Sequence, residues 1–222
     1  MAAPQELAPT GLEVSGLYIV DNARIWGAEP RDHLDIDFDG IAGDRHAGLT
    51  RTMQNYESAH LRGMTIANDK HVSLVSEDDM VEIAEMLGLD IATVEERAEE
   101  PIAQYMARRL AANMLITGAA LNELATPGLI LAFGDTTESV RAAIRITEYN
   151  APCKKPHINL INHLRAIDLQ LSGNDFEEQK ERFKEIAAGR RGWVASTYVA
   201  GEIAVGNSLF SHRPVAIPPK GE

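Results

Sequence analysis

The alternation of apolar and polar residues predicts several short β-strands, rich in β-branched residues and separated by glycine or proline. The clearest are residues 17–25, 71–75, 129–133 and 143–148. Residues 193–210 are typical of a hairpin, since 194–199 and 202–205 are strand-like on either side of Gly201 and Gly206-Asn207 supplies another turn. Short strands separated in this way by glycine or proline favour a sheet that closes on itself.

Helical patterns interrupt the strands in three places. Ser76 is a candidate N-cap, and the apolar residues that follow recur at helical spacing until Gly88, namely Met80, Ile83, Ala84 and Leu87. A second helix is predicted over residues 94–109. One or two further helices are predicted over residues 160–188, broken near 172–174. The fold class is therefore α+β and mainly β: a β-barrel with peripheral helices.

Length and composition favour one large domain over residues 1–222. The chain is 45% hydrophobic, enough for a sizeable core, which is expected over about 17–212, between loose Pro- and Ala-rich tails at 1–9 and 214–222. No apolar run reaches the roughly 18 residues of a membrane span, and the first residues lack the pattern of a signal peptide. A cytoplasmic protein without membrane contact is expected.

Charge and cysteine content exclude several functions. A formal net charge of −12 argues against a nucleic-acid surface, because such binding depends on Lys and Arg neutralising phosphates. The single cysteine excludes an internal disulfide, a thiolate-built zinc site and an all-cysteine iron–sulfur cluster supplied by this chain alone. Any thiol chemistry must run through Cys153.

The glycine-rich segment 40–48 is the most unusual stretch of the chain. Its three glycines permit backbone angles closed to other residues and a close approach of a ligand to the main chain, while Arg45 and His46 are suited to an anionic oxygen. The alternative is a plain turn with both side chains in water. Spacing alone does not separate the two interpretations.

Cys153 is followed directly by Lys154 and Lys155. Nearby positive charge lowers a thiol pKa and enriches the thiolate, which binds soft metals and attacks sulfur or carbon. The alternative is an inert, buried small hydrophobe, which is the commoner role of a lone cysteine.

Two basic pairs are further candidates. Arg108 and Arg109 precede Asn113, so a guanidinium fork and an amide are available for a phosphate and a heterocycle edge. Arg190 and Arg191 stand between two glycines. The alternatives are arginines favoured by a helix dipole and a simple basic loop, respectively.

Taken in order, these segments resemble a MOSC domain, the C-terminal domain of molybdenum-cofactor sulfurase, from about residue 40 to 209. The resemblance is carried by partial matches at residues 43–48, at 72–77 with 87–90, at Asn113, at 121–124 with 127–128, at the Pro152-Cys153 pair, and at 189–206. The order of these matches makes the resemblance specific.

The resemblance implies a mainly β barrel, binding of the molybdenum cofactor (molybdopterin) or carriage of sulfur, and a cysteine that ligates molybdenum or holds a persulfide. Carried over by position, Cys153 is the catalytic and metal-binding residue. The residues expected to bind the cofactor are Arg45, His46, Arg109, Asn113, Lys154 and Arg190. One departure is Ala112, where the family often has arginine, so anchoring there moves to Arg109 or is weakened.

Two functions follow from the resemblance. In the first, the chain is a molybdenum-dependent oxidoreductase that reduces small N-hydroxylated substrates. Its electrons come from an external flavin or iron–sulfur reductase, because the chain shows no dinucleotide-binding GxGxxG pattern and has too few cysteines for its own cluster. In the second, Cys153 carries a persulfide or the cofactor to another protein.

Overall fold

The computed structural model describes residues 7–20, 27–53, 60, 62–118, 121–152, 154–167, 169 and 176–212, with the backbone only at 154–155 and 176–180. The strands are β1 (Ala8–Ile19), β2 (Glu29–Arg31), β3 (His33–Asp37), β4 (Gly40–Ile41), β5 (Thr50–Thr52), β6 (Thr65–Ala67), β7 (Val72–Ser76), β8 (Met114–Gly118), β9 (Ile130–Gly134), β10 (Ala142–Tyr149), β11 (Trp193–Val199), β12 (Gly201–Ala204) and β13 (Ser208–His212). The helices are α1 (Glu77–Met86), α2 (Ile91–Ala98), α3 (Ile102–Arg109), α4 (Leu121–Leu124), α5 (Lys154–Ala166) and α6 (Phe176–Ala187).

Seven strands close into a barrel, as the sequence predicts. Their order is β13-β9-β10-β11-β7-β8-β1, and β1 pairs back to β13 through Ala8 with Ser211 and Pro9 with Phe210. Of these pairings, only β7–β8 is parallel, and the chain between these two strands forms α1, α2 and α3. A helical layer therefore covers this side of the barrel.

Two apolar cores follow from the alternation of side chains along the strands. Leu129, Leu131 and Phe133 point into the barrel, whose interior is packed with aliphatic residues. Tyr18, Val75 and Leu115 point outward, into a second core that they share with the helices. The loops and side chains at the edge of this second core form the candidate site.

Several predicted elements are confirmed. The predicted strands at 71–75, 129–133 and 143–148 are β7, β9 and β10 within one residue at each end. Ser76 caps α1, since its Oγ accepts the Asp79 N–H at 3.2 Å, and Gly88 takes the left-handed conformation just beyond the C-cap.

Other elements differ from the predictions. The first strand begins at Ala8, inside the expected tail, and ends at Ile19, while residues 21–25 of the predicted strand lie outside the described residues. The helix predicted over 94–109 is two helices, because Glu99 adopts a left-handed conformation and Pro101 starts a new helix as its N-cap. In the third region, α5 begins earlier than predicted, at Lys154, and the break at 172–174 lies outside the described residues.

The strands predicted at 194–199 and 202–205 are β11 and β12, but the prediction that they pair as a hairpin is wrong. β11 pairs with β10 and β7, whereas β12 pairs with β3 in a separate sheet that also contains β4. At Gly201 the backbone passes close to the residue before β10, since its φ is +159° and an added Cβ would lie 1.9 Å from the Arg141 carbonyl oxygen. The chain thus leaves the barrel at Gly201, the residue predicted to connect the two strands of the hairpin.

Candidate functional site

A buried carboxylate organises the glycine-rich loop. The Asp44 side chain is fully buried and accepts four hydrogen bonds. Oδ2 accepts the Val20 N–H at 2.8 Å and the Asn113 Nδ2–H at 2.7 Å. Oδ1 accepts the backbone N–H and the ring Nδ1–H of His46, both at 2.8 Å. Asp44, which is not among the predicted site residues, is therefore the centre of this part of the site.

The pKa of Asp44 lies below its ordinary value. Burial acts to raise it, but the hydrogen bond and charge of His46 and the backbone donors of His46 and Val20 outweigh burial. Asp44 is therefore a carboxylate at neutral pH.

Arg45 and His46 are the accessible groups of the loop. The Arg45 Nε–H donates to His46 Nε2 at 3.2 Å, so Nε2 is the acceptor and the single ring proton is on Nδ1, where it faces Asp44. The His46 side chain is 38% exposed, and Arg45 is exposed. Asn68 also holds the loop, because its Nδ2 donates to the carbonyl oxygens of His46 and Gly48 at 2.7 and 2.9 Å.

Asn113 is a structural link between strands. It is fully buried, and its Nδ2 donates to Tyr18 O at 3.3 Å as well as to Asp44. Its Oδ1 accepts the backbone N–H and the Oγ–H of Ser73, both at 3.0 Å. Both amide hydrogens and both oxygen lone pairs are thus in use, so no capacity of this side chain remains for a ligand.

At the end of α3 two arginines share one carboxylate. Arg108 donates from Nη1 to Glu100 Oε2 at 2.7 Å and from Nε to Ala28 O at 3.0 Å. Arg109 is 12% exposed, reaches Glu100 Oε1 only at 3.5 Å, and stacks over the Tyr105 ring at 5.0 Å. Burial, and then the charge of Arg108, lower the pKa of Arg109. This guanidinium is held beneath the surface.

Arg190 and Arg191 occupy different environments. Arg190 donates from Nη2 to Glu82 Oε1 at 2.6 Å and from Nη1 to two carbonyls at the end of α6, which ties that helix to α1. Arg191 is 4% exposed and donates from Nη2 to Leu110 O at 2.9 Å. Arg190 is the predicted cofactor-binding residue of the pair, yet Arg191 is the buried cation, and nothing in the local sequence distinguishes the two.

The predicted thiol, Cys153, lies outside the described residues. Lys154 is the first residue of α5, and its side chain is not described. One turn further along α5, the His157 ring is fully buried and stacks on Phe183 at 5.1 Å between centroids.

The predicted cofactor-binding residues differ in the hydrogen-bonding capacity that they have left for a ligand. Asn113 has no free hydrogen-bonding atoms, and Arg109 and Arg190 are bound to Glu100 and Glu82. Arg45 and His46 remain accessible. Within this described part of the chain, no group of three or more His, Cys, Asp or Glu side chains is arranged to hold a metal ion. Likewise, no described helix is long and apolar enough to cross a bilayer.

Family comparison agrees with this architecture. The model of the MOSC domain matches residues 42–209, most of the chain, and the protein therefore belongs to the MOSC domain family. MOSC domains are associated with the molybdenum cofactor.

Among individual proteins, the chain is similar to YuaD of Bacillus subtilis (strain 168), named as a candidate metal–sulfur cluster biosynthesis protein. The two are 38% identical over 77 residues, which is 35% of this chain and only 40% of that relative's length. The crystal structure of B. subtilis YuaD superposes with a TM-score of 0.73 at 24% identity, covering 94% of this chain and 99% of YuaD. YiiM from Escherichia coli superposes with a TM-score of 0.51 at 14% identity, covering 96% of this chain and 73% of YiiM. At these identities the two structures support the fold alone.

Proposed function

We propose that this MOSC protein carries sulfur as a persulfide on Cys153. The observation that carries the proposal is the start of α5 at Lys154, directly after the only cysteine of the chain. The first backbone N–H groups of a helix lack intrahelical acceptors, and the amino terminus is the positive end of the helix dipole.

The first turn of α5 favours a thiolate. It contains no acidic residue, and its first two residues are Lys154 and Lys155. Pro156 has no N–H, so its place in the first turn costs the helix no hydrogen bond. Helix amino termini and neighbouring cations both lower a thiol pKa below its ordinary value of about 8.5.

The proposed chemistry is a sulfur exchange without net oxidation. The Cys153 thiolate attacks the outer sulfur of a donor persulfide; a new S–S bond forms at Cys153, the donor's S–S bond breaks, and the donor leaves as a thiolate. An acceptor thiolate removes the outer sulfur by the same displacement, which regenerates the Cys153 thiolate. No electron source is required in either direction.

Two further observations support a carrier. The name of the YuaD relative refers to metal–sulfur cluster biosynthesis. In addition, Arg109, Asn113 and Arg190 are bound within the protein, which is compatible with a sulfur carrier because such a carrier needs no pterin or phosphate site.

The test compares wild-type protein with Cys153→Ser after incubation with a small-molecule persulfide. We expect the wild type to gain one sulfur atom by intact mass and to release it as thiocyanate with cyanide, whereas Cys153→Ser gains none and keeps the wild-type melting transition. The carrier proposal fails if the wild type takes up no sulfur, or if it takes up sulfur that a thiol acceptor cannot remove.

A second candidate is the reductase. Its specific support is the exposed Arg45 beside the partly exposed His46, since the guanidinium of Arg45 is suited to an anionic group of the cofactor. Cofactor-loaded protein would then hold about one molybdenum per chain and would reduce a hydroxylaminopurine only with an external flavin or iron–sulfur reductase. Arg45→Ala would weaken cofactor retention, since a charge-assisted hydrogen bond contributes about 1.5–3 kcal/mol. Molybdenum analysis of the purified protein separates the two candidates: bound metal favours the reductase, and sulfane sulfur without metal favours the carrier.

A further inference from the structure

The turn between β3 and β4 presents an aromatic side chain to solvent. Asp37 pairs with Gly40, so Phe38 and Asp39 form a tight hairpin connection. Such connections are usually made by Gly, Asn and Asp. Here Asp37 Oδ1 accepts the Asp39 N–H at 2.8 Å, and the positive φ of +106° falls on Gly40. The Phe38 side chain is not needed for this geometry and is 62% exposed, so the turn holds a large apolar group in water.

A second exposed apolar side chain lies beside the turn. The Gly48 N–H donates to Asp39 O at 2.6 Å, which brings Leu49 next to the turn, and Leu49 O accepts the Asn68 N–H at 2.9 Å. Leu49 is 67% exposed, so it and Phe38 are the most exposed large apolar side chains of the described residues. Single apolar side chains on a surface are ordinary, but neighbouring ones on a backbone held by hydrogen bonds are typical of an interaction surface.

Val199 extends this apolar surface. On β3 and β12, Ile36 pairs with Gly201 in antiparallel register. Phe38 follows Ile36 by two residues and Val199 precedes Gly201 by two residues, so both lie in the same direction from that pair. Val199 is 45% exposed. We refer to Phe38, Leu49 and Val199 as the turn patch.

The charges around the turn patch are mainly negative. Three exposed carboxylates on β3 and its turn form no ion pair with any described residue: Asp35, Asp37 and Asp39. On nearby elements, Arg51 is paired with Asp69. Arg141 is paired with Glu202, whereas Arg45 is exposed on the neighbouring loop. A second copy of this chain docked through the same patch would set the three carboxylates against their equivalents, so complementary charge favours a basic partner.

We propose that the turn patch is the docking surface for a partner protein that presents an apolar pocket bordered by Lys and Arg. Phe38 enters the pocket, and the carboxylates meet the cations around it. Because Phe38 and Leu49 flank the two ends of the loop 40–48, the docked partner lies against the loop that carries Arg45 and His46. The inference does not depend on sulfur chemistry at Cys153, since a carrier and a reductase each need a protein partner.

The experiment titrates the isotope-labelled full chain with a short peptide in which a tryptophan is flanked by lysines, at low and at high salt. Backbone amide shifts in NMR spectra locate the peptide, and the reporters are the amides of Asp39, Gly40, Gly48 and Leu49. Two matched peptides separate the contributions. One has glutamate in place of lysine, and the other has serine in place of tryptophan.

Phe38→Ser is the key variant, and its melting transition should be that of the wild type because the side chain is exposed. Met86→Ser is the matched control, since Met86 is also a large apolar side chain, 42% exposed, but lies on α1 in the helical layer. Asp39→Asn removes one carboxylate from the turn and leaves Phe38 in place.

We expect the lysine–tryptophan peptide to shift the reporters of the wild type and of Met86→Ser in a saturable way, more weakly as salt rises. Phe38→Ser should reduce the affinity by about fivefold or more, as expected when an interface anchor is removed. Asp39→Asn should reduce the affinity mainly at low salt.

The docking surface is overturned if the matched peptides shift the reporters as strongly as the lysine–tryptophan peptide does. It is equally overturned if the shifts spread over the whole surface, which charge alone would produce, or if Phe38→Ser binds like the wild type. Analytical ultracentrifugation tests the remaining occupant. A wild-type dimer that Phe38→Ser dissociates would assign the patch to a second copy of the chain and contradict the proposal.

Discussion

At the scale of single residues, Asp44 holds the loop 40–48 in one conformation. A loop with two accessible basic side chains would be expected to sample several conformations, since neither Arg45 nor His46 is itself buried. The carboxylate prevents this by holding both the backbone and the ring of His46 while it is anchored to Val20 and Asn113. The orientation of His46 is therefore set by a residue whose own side chain is fully buried.

Replacing Asp44 with Ala should destabilise the protein by about 3–5 kcal/mol, because the donors of Val20, Asn113 and His46 lose their buried acceptor. The loss should appear as a lower urea midpoint. Asp35→Asn, a change at an exposed carboxylate on β3, is the control and should be near neutral. A similar midpoint for the two variants would contradict this account of the loop.

The same carboxylate gives a pH dependence. Because its pKa is lowered in the folded protein, the unfolded chain binds the proton more tightly. The stabilisation is thus present above the ordinary value of 3.8 and is lost as the pH falls through the lower, folded value. The loss of stability of the wild type over this acidic range should be smaller in Asp44→Ala, measured by urea titration at each pH.

At the scale of elements, Gly189 and Gly192 provide a matched pair at the entrance to β11. Both have positive φ, +79° and +69°. A Cβ at Gly189 would meet nothing within 4 Å, whereas one at Gly192 would lie 1.9 Å from the Leu74 carbonyl oxygen of β7.

Gly189→Ala should therefore lower the free energy of unfolding by about 1–2 kcal/mol, which is the cost of placing an alanine in the left-handed conformation. In Gly192→Ala the new Cβ also pushes β11 away from β7, so the free energy of unfolding should fall by at least about 3 kcal/mol. Thermal unfolding of both variants checks this difference. Equal losses would mean that the backbone at Gly192 has room that the structure does not show.

The elements that could be predicted from sequence were those with an uninterrupted period. α1 keeps a helical period throughout, while β9 is a continuous apolar run, and both agree with the predictions. The start of β1 was missed because a register shift between Val14 and Gly16 breaks the alternation. The roles of Asp44 and Arg191 could not be predicted, since their hydrogen-bond partners, such as Asn113 and Leu110, lie far away along the chain.

At the scale of the whole molecule, the barrel depends on a strand near the end of the chain. β13 lies between β9 and β1, and it contributes Leu209 to the barrel interior and Phe210 to a small apolar cluster on the outside. Without it, two strands would present unpaired edges and the interior would open to water.

A chain ending at Asn207 should therefore lose its cooperative thermal transition and bind hydrophobic dyes, whereas a chain ending at His212 should retain the transition. Circular dichroism in the near and far ultraviolet distinguishes a collapsed barrel from an unfolded chain. A cooperative transition in the shorter chain would show that seven-strand closure is dispensable.

Pairing of β13 with both β1 and β9 also affects how the chain folds while it is being synthesised on the ribosome. Ser208 follows Gly134 by 74 residues, so at about 5–20 residues per second β9 waits roughly 4–15 s for its partner, and β1 waits longer. During that time both strands have emerged with open edges that can pair with a neighbouring nascent chain. Chaperone binding during translation should matter most in this interval, before the last strand leaves the ribosome.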